Sequence, residues 1–179
     1  MTCIAGISHK GKVYMGADSF ALADSIVYSC DTKLFRRGEF LMGVAGDWRY
    51  AEILAFALEF QPPSVDADVR RYMATDFTKA IRQAVKEYGF MQSEEGRDRV
   101  DSRALVGIRG CLFNFDGLLS HLCIKEGFSA IGSGTHVALG SLYESQDSDA
   151  DPKTRINRAL RAAEALTDGV RAPFYIESL

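Results

Sequence analysis

Threonine stands second in the chain, after Met1 and directly ahead of CIAGISHKGKVYMGA. A threonine hydroxyl is a weak nucleophile at neutral pH and needs a base within reach. Removal of the methionine leaves Thr2 with a free α-amine, whose ordinary pKa of about 7.7–8.0 suits it to take the proton from its own side chain. With Met1 in place that nitrogen is an amide and has no such basicity. Thr2 is therefore a candidate nucleophile on condition that Met1 is removed, and its small side chain is compatible with that removal.

Other reactive side chains are dispersed. Cys3, Cys30, Cys111 and Cys123 show no CxxC spacing and read as reduced thiols rather than bridges. His9, His121 and His136 form no closely spaced pair, which speaks against a His/Cys metal centre. Strand alternation turns Cys3 to the face opposite Thr2, so it is not read as the nucleophile. With 21 Lys plus Arg against 24 Asp plus Glu, the net charge of −3 offers no basic footprint, and nucleic acid is not an expected partner. Apolar runs fall short of the roughly 20 residues a membrane helix needs, and no charged-then-apolar leader opens the chain. A cytoplasmic protein away from the membrane is expected.

The elements that must position Thr2 follow from periodicity. Residues 2–7 and 13–17 read as two apolar strands joined by the turn HKGK. A second, weaker pair is predicted from SIVYSCDTKLF, the charged turn RRGE and the core strand FLMGVAG. From Asp47, a natural N-cap, Tyr50, Ile53, Leu54, Ala57 and Leu58 recur at helical spacing, and QPPS ends that helix. Val69, Met73, Phe77, Ile81, Ala84 and Tyr88 mark a longer amphipathic helix. MQSEEGRDRVDS reads as a loop, followed by a three-strand meander through RALVGIRG, CLFNFD and GLLSHLCI. Two more helices are expected at THVALGSLYES and after Asp151-Pro152, and APFYIES supplies a last strand. This order predicts an α+β protein in which two mostly antiparallel sheets stack face to face between helix pairs, a four-layer αββα sandwich. At 179 residues the chain, 1–179, reads as one domain.

A hairpin beginning at Thr2, GADS at its far end, a lysine in DTKLFRR, glycines in GVAGD and AIGSG before a helix together resemble the proteasome β-subunit and HslV family of N-terminal nucleophile hydrolases. The likeness is nearer to HslV and includes AIGSGTHVALGSL and the tail ALRAAEALTDGVRAPFYIESL; residues 51–99 agree only in helical character.

The resemblance implies a threonine peptidase with Thr2 as nucleophile. It places Asp18 and Lys33 at the family's hairpin aspartate and its lysine partner, an ion pair beside the α-amine. It places Gly43 where a backbone N–H faces the developing oxyanion, and Ser133 where a serine hydrogen-bonds near the amine. Read alone, a strand charge marks a solvated face, Gly43 a strand-end turn and Ser133 a helix cap. No cofactor is implied for the chemistry. An HslV-like cation site would use the backbone carbonyls of Glu164, Thr167 and Val170, since hard cations accept such oxygens; proteasome subunits carry an aspartate and a serine in this region, where Thr167 and Val170 stand here and Asp168 is one place off. Phe20 and Leu22 replace cleft-lining positions, so no cleavage preference is carried over. Implied partners are further copies of the chain in a ring or stacked rings, an ATP-driven unfoldase, and a peptide or unfolded-protein substrate. A non-catalytic ring-forming protein that retains Met1, and a small-molecule amidase using the same nucleophile, are the alternatives.

Overall fold

A computed structural model of the chain describes residues 1–179 apart from Ser25, Asp31 and Glu95. Strands β1 (Cys3–His9) and β2 (Lys12–Ala17) make the predicted hairpin. Lys10 and Gly11 turn it with φ of 49° and 75°, the paired left-handed conformation that matches the twist of a two-residue hairpin. Next come β3 (Phe20–Ala23) and β4 (Ile26–Ser29), which pair with each other in a two-stranded sheet, then β5 (Leu34–Arg37) and β6 (Phe40–Gly46). The single extended run expected from residue 25 to 35 is thus two strands in different sheets, and its Ser25 and Asp31 lie outside the described residues. The reason is physical: all four residues of β4 are exposed, so no buried face ties that strand to a core.

Helix α1 (Trp48–Glu52) is capped by the Asp47 carboxylate, which accepts from the Arg49 N–H, and widens into a π-helical turn at Ile53–Ala57. Asp68 caps α2 (Val69–Tyr72) in the same way; a second π-helical turn (Met73–Phe77) leads into α3 (Thr78–Glu87). The segment expected as a loop holds a small hairpin, β7 (Gln92–Glu94) and β8 (Arg97–Arg99), around Glu95, which lies outside the description. The meander is β9 (Ser102–Ile108), β10 (Cys111–Phe115) and β11 (His121–Cys123), followed by β12 (Phe128–Gly132). Helices α4 (Thr135–Glu144) and α5 (Pro152–Leu166) precede β13 (Tyr175–Ser178). Asp151 caps α5 through the N–H groups of Lys153 and Thr154, with Pro152 in the first turn, where its missing N–H costs nothing.

The strands assemble as a four-stranded sheet, β12-β1-β2-β13, and a five-stranded sheet, β11-β10-β9-β6-β5. Alternation along β1 sorts its side chains. Cys3, Ala5 and Ile7 pack with Leu142, Ile156 and Leu160 of α4 and α5, while Ile4 joins Met15, Leu41 and Leu105 in a core shared by the two sheets. The opposite face of β6 and β9, through Met42, Val44, Ala104 and Val106, packs against Tyr50, Met73, Phe77 and Ile81. Phe77 stacks on Phe40 with ring centroids 5.0 Å apart. Each such fully buried large side chain contributes about 1.5–3 kcal/mol. Thr2, Asp18, Lys33 and Ser133 all flank strand ends: Cys3 pairs with Gly132 and Ile4 with Ala17, so the start of β1 lies beside the ends of β2 and β12.

Candidate active site

Thr2 is buried, and three polar side chains from separate parts of the chain converge on it. The Lys33 ammonium donates to Thr2 Oγ1 at 3.0 Å and to the two carboxylate oxygens of Asp18 at 2.9 and 3.0 Å. Asp18 Oδ1 also accepts from the Cys3 N–H at 2.9 Å, and Oδ2 from the Phe20 N–H at 3.0 Å. Both carboxylate oxygens are therefore satisfied from two directions, which pins the carboxylate and in turn aims the lysine. An ammonium held this close to a hydroxyl oxygen, away from water, favours negative charge developing on that oxygen.

Ser133 approaches Thr2 from its backbone side. Its Oγ accepts from the Thr2 N–H at 3.1 Å and donates to the Thr2 carbonyl at 3.2 Å. The close approach requires glycine at 132: its φ is +96°, and a Cβ there would collide with the Thr2 carbonyl oxygen. On the same side, the Met1 carbonyl oxygen accepts from the Thr2 hydroxyl at 2.5 Å and, at a longer 3.5 Å, from Lys33. The Thr2 nitrogen here is an amide donor; freed as an amine in the same place, it would lie within a single residue of its own hydroxyl with Ser133 fixing its direction.

Two cavities flank Thr2. One, of about 580 Å³, is mainly apolar, with Phe20, Leu22, Phe35, Val44, Trp48 and Phe56 on its walls. The other, of about 500 Å³, is lined by Gly46, Arg99, Asp101, Ser102, Arg103 and Ser133, among others. Met1, Thr2 and Gly46 border both. A cavity of about 610 Å³ between residues 60–64 and the α2–α3 segment holds none of the residues clustered on Thr2.

Among the residues expected from sequence, Thr2, Asp18, Lys33 and Ser133 come together by direct hydrogen bonds. Gly43 sits inside β6, paired with Leu34 and Leu105, its α-carbon facing Ile4 and Leu34, and it lines neither cavity at Thr2. Gly46, three residues on, lines both; at φ +132° a Cβ there would meet Ser102 and the Asp101 carbonyl. Gly46 lay within the quoted GVAGD, but nothing in that motif separates its two glycines by role. Arg103 and Ser102 were missed altogether. Cys3 faces away, into the core with α4 and α5. Burial, aided by the Asp18 charge and partly opposed by Lys33, pushes its thiol up to about 12, so it is no nucleophile at neutral pH.

The C-terminal carbonyl set behaves differently. The Val170 carbonyl accepts from the Arg171 guanidinium at 2.7 Å, and Glu164 turns its carboxylate onto the Ala172 N–H at 2.8 Å. A positive group from the chain itself thus rests on the Val170 carbonyl.

No family model and no curated protein matches the chain. Solved structures do. Thiobacillus denitrificans BPH in complex with epoxomicin matches with a TM-score of 0.83 and 22% identity over 99% of this chain and 98% of that one. A second structure of Thiobacillus denitrificans BPH matches with a TM-score of 0.83 and 21% identity over 99% and 97%. Eukaryotic HslV from Trypanosoma brucei matches with a TM-score of 0.69 and 19% identity over 99% and 98%. Over nearly its whole length the chain therefore has the α+β fold of these BPH and HslV structures.

Proposed function

We propose that this chain is a threonine peptidase of the HslV and proteasome type, active once Met1 is removed. The observation that carries the reading is the Lys33 ammonium 3.0 Å from Thr2 Oγ1, fixed by Asp18, with Ser133 on the Thr2 nitrogen. The three packed cores support the four-layer helix–sheet–sheet–helix arrangement read from the sequence.

In this mechanism the freed Thr2 amine takes the hydroxyl proton while Oγ1 attacks a peptide carbonyl carbon. Lys33 stabilises the oxygen as it loses its proton. The tetrahedral oxyanion is met by backbone N–H donors, which we assign to the 43–46 stretch of β6, Gly43 by family likeness and Gly46 by its place at the cavities. Collapse of the intermediate breaks the C–N bond; the Thr2 ammonium gives its proton to the departing amine and leaves an ester on Oγ1. Water, deprotonated by the same amine, then hydrolyses the ester and restores the hydroxyl. Assembly into rings and service to an ATP-driven unfoldase belong to this reading through the likeness to HslV.

Hydrolysis of fluorogenic peptides by protein starting at Thr2 tests it, with Thr2→Ala and Thr2→Ser alongside and epoxomicin, the compound bound to the BPH structure, as inhibitor. Thr2→Ala is expected to lower kcat by about 10⁴-fold or more, as loss of a nucleophile does, while Thr2→Ser retains activity. Turnover unchanged in Thr2→Ala removes the reading.

A further inference from the structure

Thr2 stands between an apolar and a more polar cavity, and the second of them is lined by an arginine, Arg103, with no partner among the described residues. Arg103 pairs with Ala45 in the β6–β9 register, and Ala45 and Leu105 both belong to the core between the sheets. Alternation therefore sets Arg103 on that same side at the strand end, where it is exposed and lines the cavity beside Thr2. Its guanidinium makes no hydrogen bond or ion pair among the described residues. Of the cavity's other charged side chains, Arg99 is bound by the Glu94 carboxylate, and Asp101 makes no ion pair among the described residues. Ser102, next along the strand, is held by the Asp47 N–H, which donates to its Oγ at 2.9 Å.

Which half of a substrate this cavity receives follows from the proposed chemistry, on which the inference rests. The proton that releases the departing amine comes from the Thr2 nitrogen, and that nitrogen faces Ser133, a wall of this cavity; the apolar cavity lies on the Lys33 side. A general acid must lie beside the group it protonates. We infer that the polar cavity holds the departing half of the substrate and that Arg103 binds a carboxylate there, making it a specificity-determining residue for acidic departing peptides. The carboxylate comes from an acidic side chain or from the free C-terminus of a short departing segment. Guanidinium pairs with either in the same two-pronged geometry.

The test uses processed protein and peptides sharing one acyl half, with Glu, Gln or Lys opening the departing half. A further pair ends directly after a Gln departing residue, as free acid or as amide. An acyl aminocoumarin, with no peptide on the departing side, reports the underlying activity. The expected result is kcat/KM about tenfold higher for Glu than for Gln, falling to within about twofold in Arg103→Gln and partly retained in Arg103→Lys. The readout is the Glu-to-Gln ratio within each protein, so any common change in rate, which aminocoumarin release reports, cancels. If instead the free acid is preferred over its amide and Glu is not preferred over Gln, the C-terminal carboxylate is the group bound. Equal rates across all these pairs, or a preference that survives in Arg103→Gln, overturn the inference while leaving Thr2-dependent aminocoumarin release intact. Loss of the peptidase reading shows separately, as release that persists in Thr2→Ala.

Discussion

The Lys33 ammonium rests between both carboxylate oxygens of Asp18, at 2.9 and 3.0 Å, with 2% and 0% of the two side chains exposed. A buried pair of this kind is sensitive to losing one member, because the other charge is then stranded away from water. Lys33→Met is expected to destabilise the protein by about 3–5 kcal/mol, and the double variant Asp18→Asn/Lys33→Met by clearly less. Neither variant should hydrolyse peptides at more than a small fraction of the native rate. Urea unfolding and peptide turnover on the three proteins check both halves; equal stability of the single and double variants contradicts the pairing.

Ser133→Ala separates positioning from stability. Its hydroxyl both receives the Thr2 N–H and reaches the Thr2 carbonyl, so its loss removes two contacts at a partly buried place. The expected cost is about 1–2 kcal/mol in folding, with kcat reduced by about 10–100-fold and KM little changed, since the amine rather than the substrate loses its partner. A variant with native kcat contradicts this role.

The two glycines of β6 should respond differently to alanine. At Gly46 the φ of +132° and a Cβ collision with Ser102 and, at 2.8 Å, the Asp101 carbonyl leave no relaxed solution. At Gly43 the atoms nearest to a Cβ are Leu34 and Ile4 side-chain carbons, at 2.9 and 3.0 Å. Gly46→Ala is expected to destabilise by about 2–4 kcal/mol, Gly43→Ala by about 1–2 kcal/mol. Thermal or urea unfolding ranks them, and the reverse order contradicts the geometry.

Alkali should weaken the fold through Cys3. Its thiol ionises near 9.0 in an exposed chain and is held to about 12 in the fold, chiefly by burial. Between these values the unfolded chain binds fewer protons than the folded one, so stability falls as pH rises. The contribution is fully present below about pH 9. Burial likewise pushes the Tyr50 phenol upward from 10.0 and adds to the loss above that pH. Urea midpoints measured from pH 7.5 to 10.5 should fall, at up to about 1.4 kcal/mol per pH unit for each group involved, and Cys3→Ala should shallow the slope. A flat or rising profile contradicts it.

Much of this arrangement was legible from residue types alone. The Lys10-Gly11 turn, the caps at Asp47 and Asp151 and the meander after residue 102 follow local rules that packing had no cause to override. The likeness around GADS, DTKLFRR and AIGSG located Asp18, Lys33 and Ser133, which meet at Thr2 although Ser133 is 131 residues away in sequence. Ile26, Val27 and Tyr28 read as part of one extended run reaching Phe35, whereas all three are exposed in a two-stranded ribbon that stops short of it. The π-helical turns after Glu52 and Tyr72 leave the apolar spacing almost unchanged and so left no signal. Arg103 was illegible for a different reason: in sequence it is one more charged residue at a strand start, and only its register with Ala45 places it at the cavity beside Thr2.

Intact mass and N-terminal sequencing of the assembled protein, followed by mass mapping of an epoxomicin adduct, test the central claim most directly. The account predicts a chain that starts at Thr2 and carries the adduct on that residue, with no adduct in Thr2→Ala. A chain that keeps Met1 uniformly and takes no adduct contradicts it.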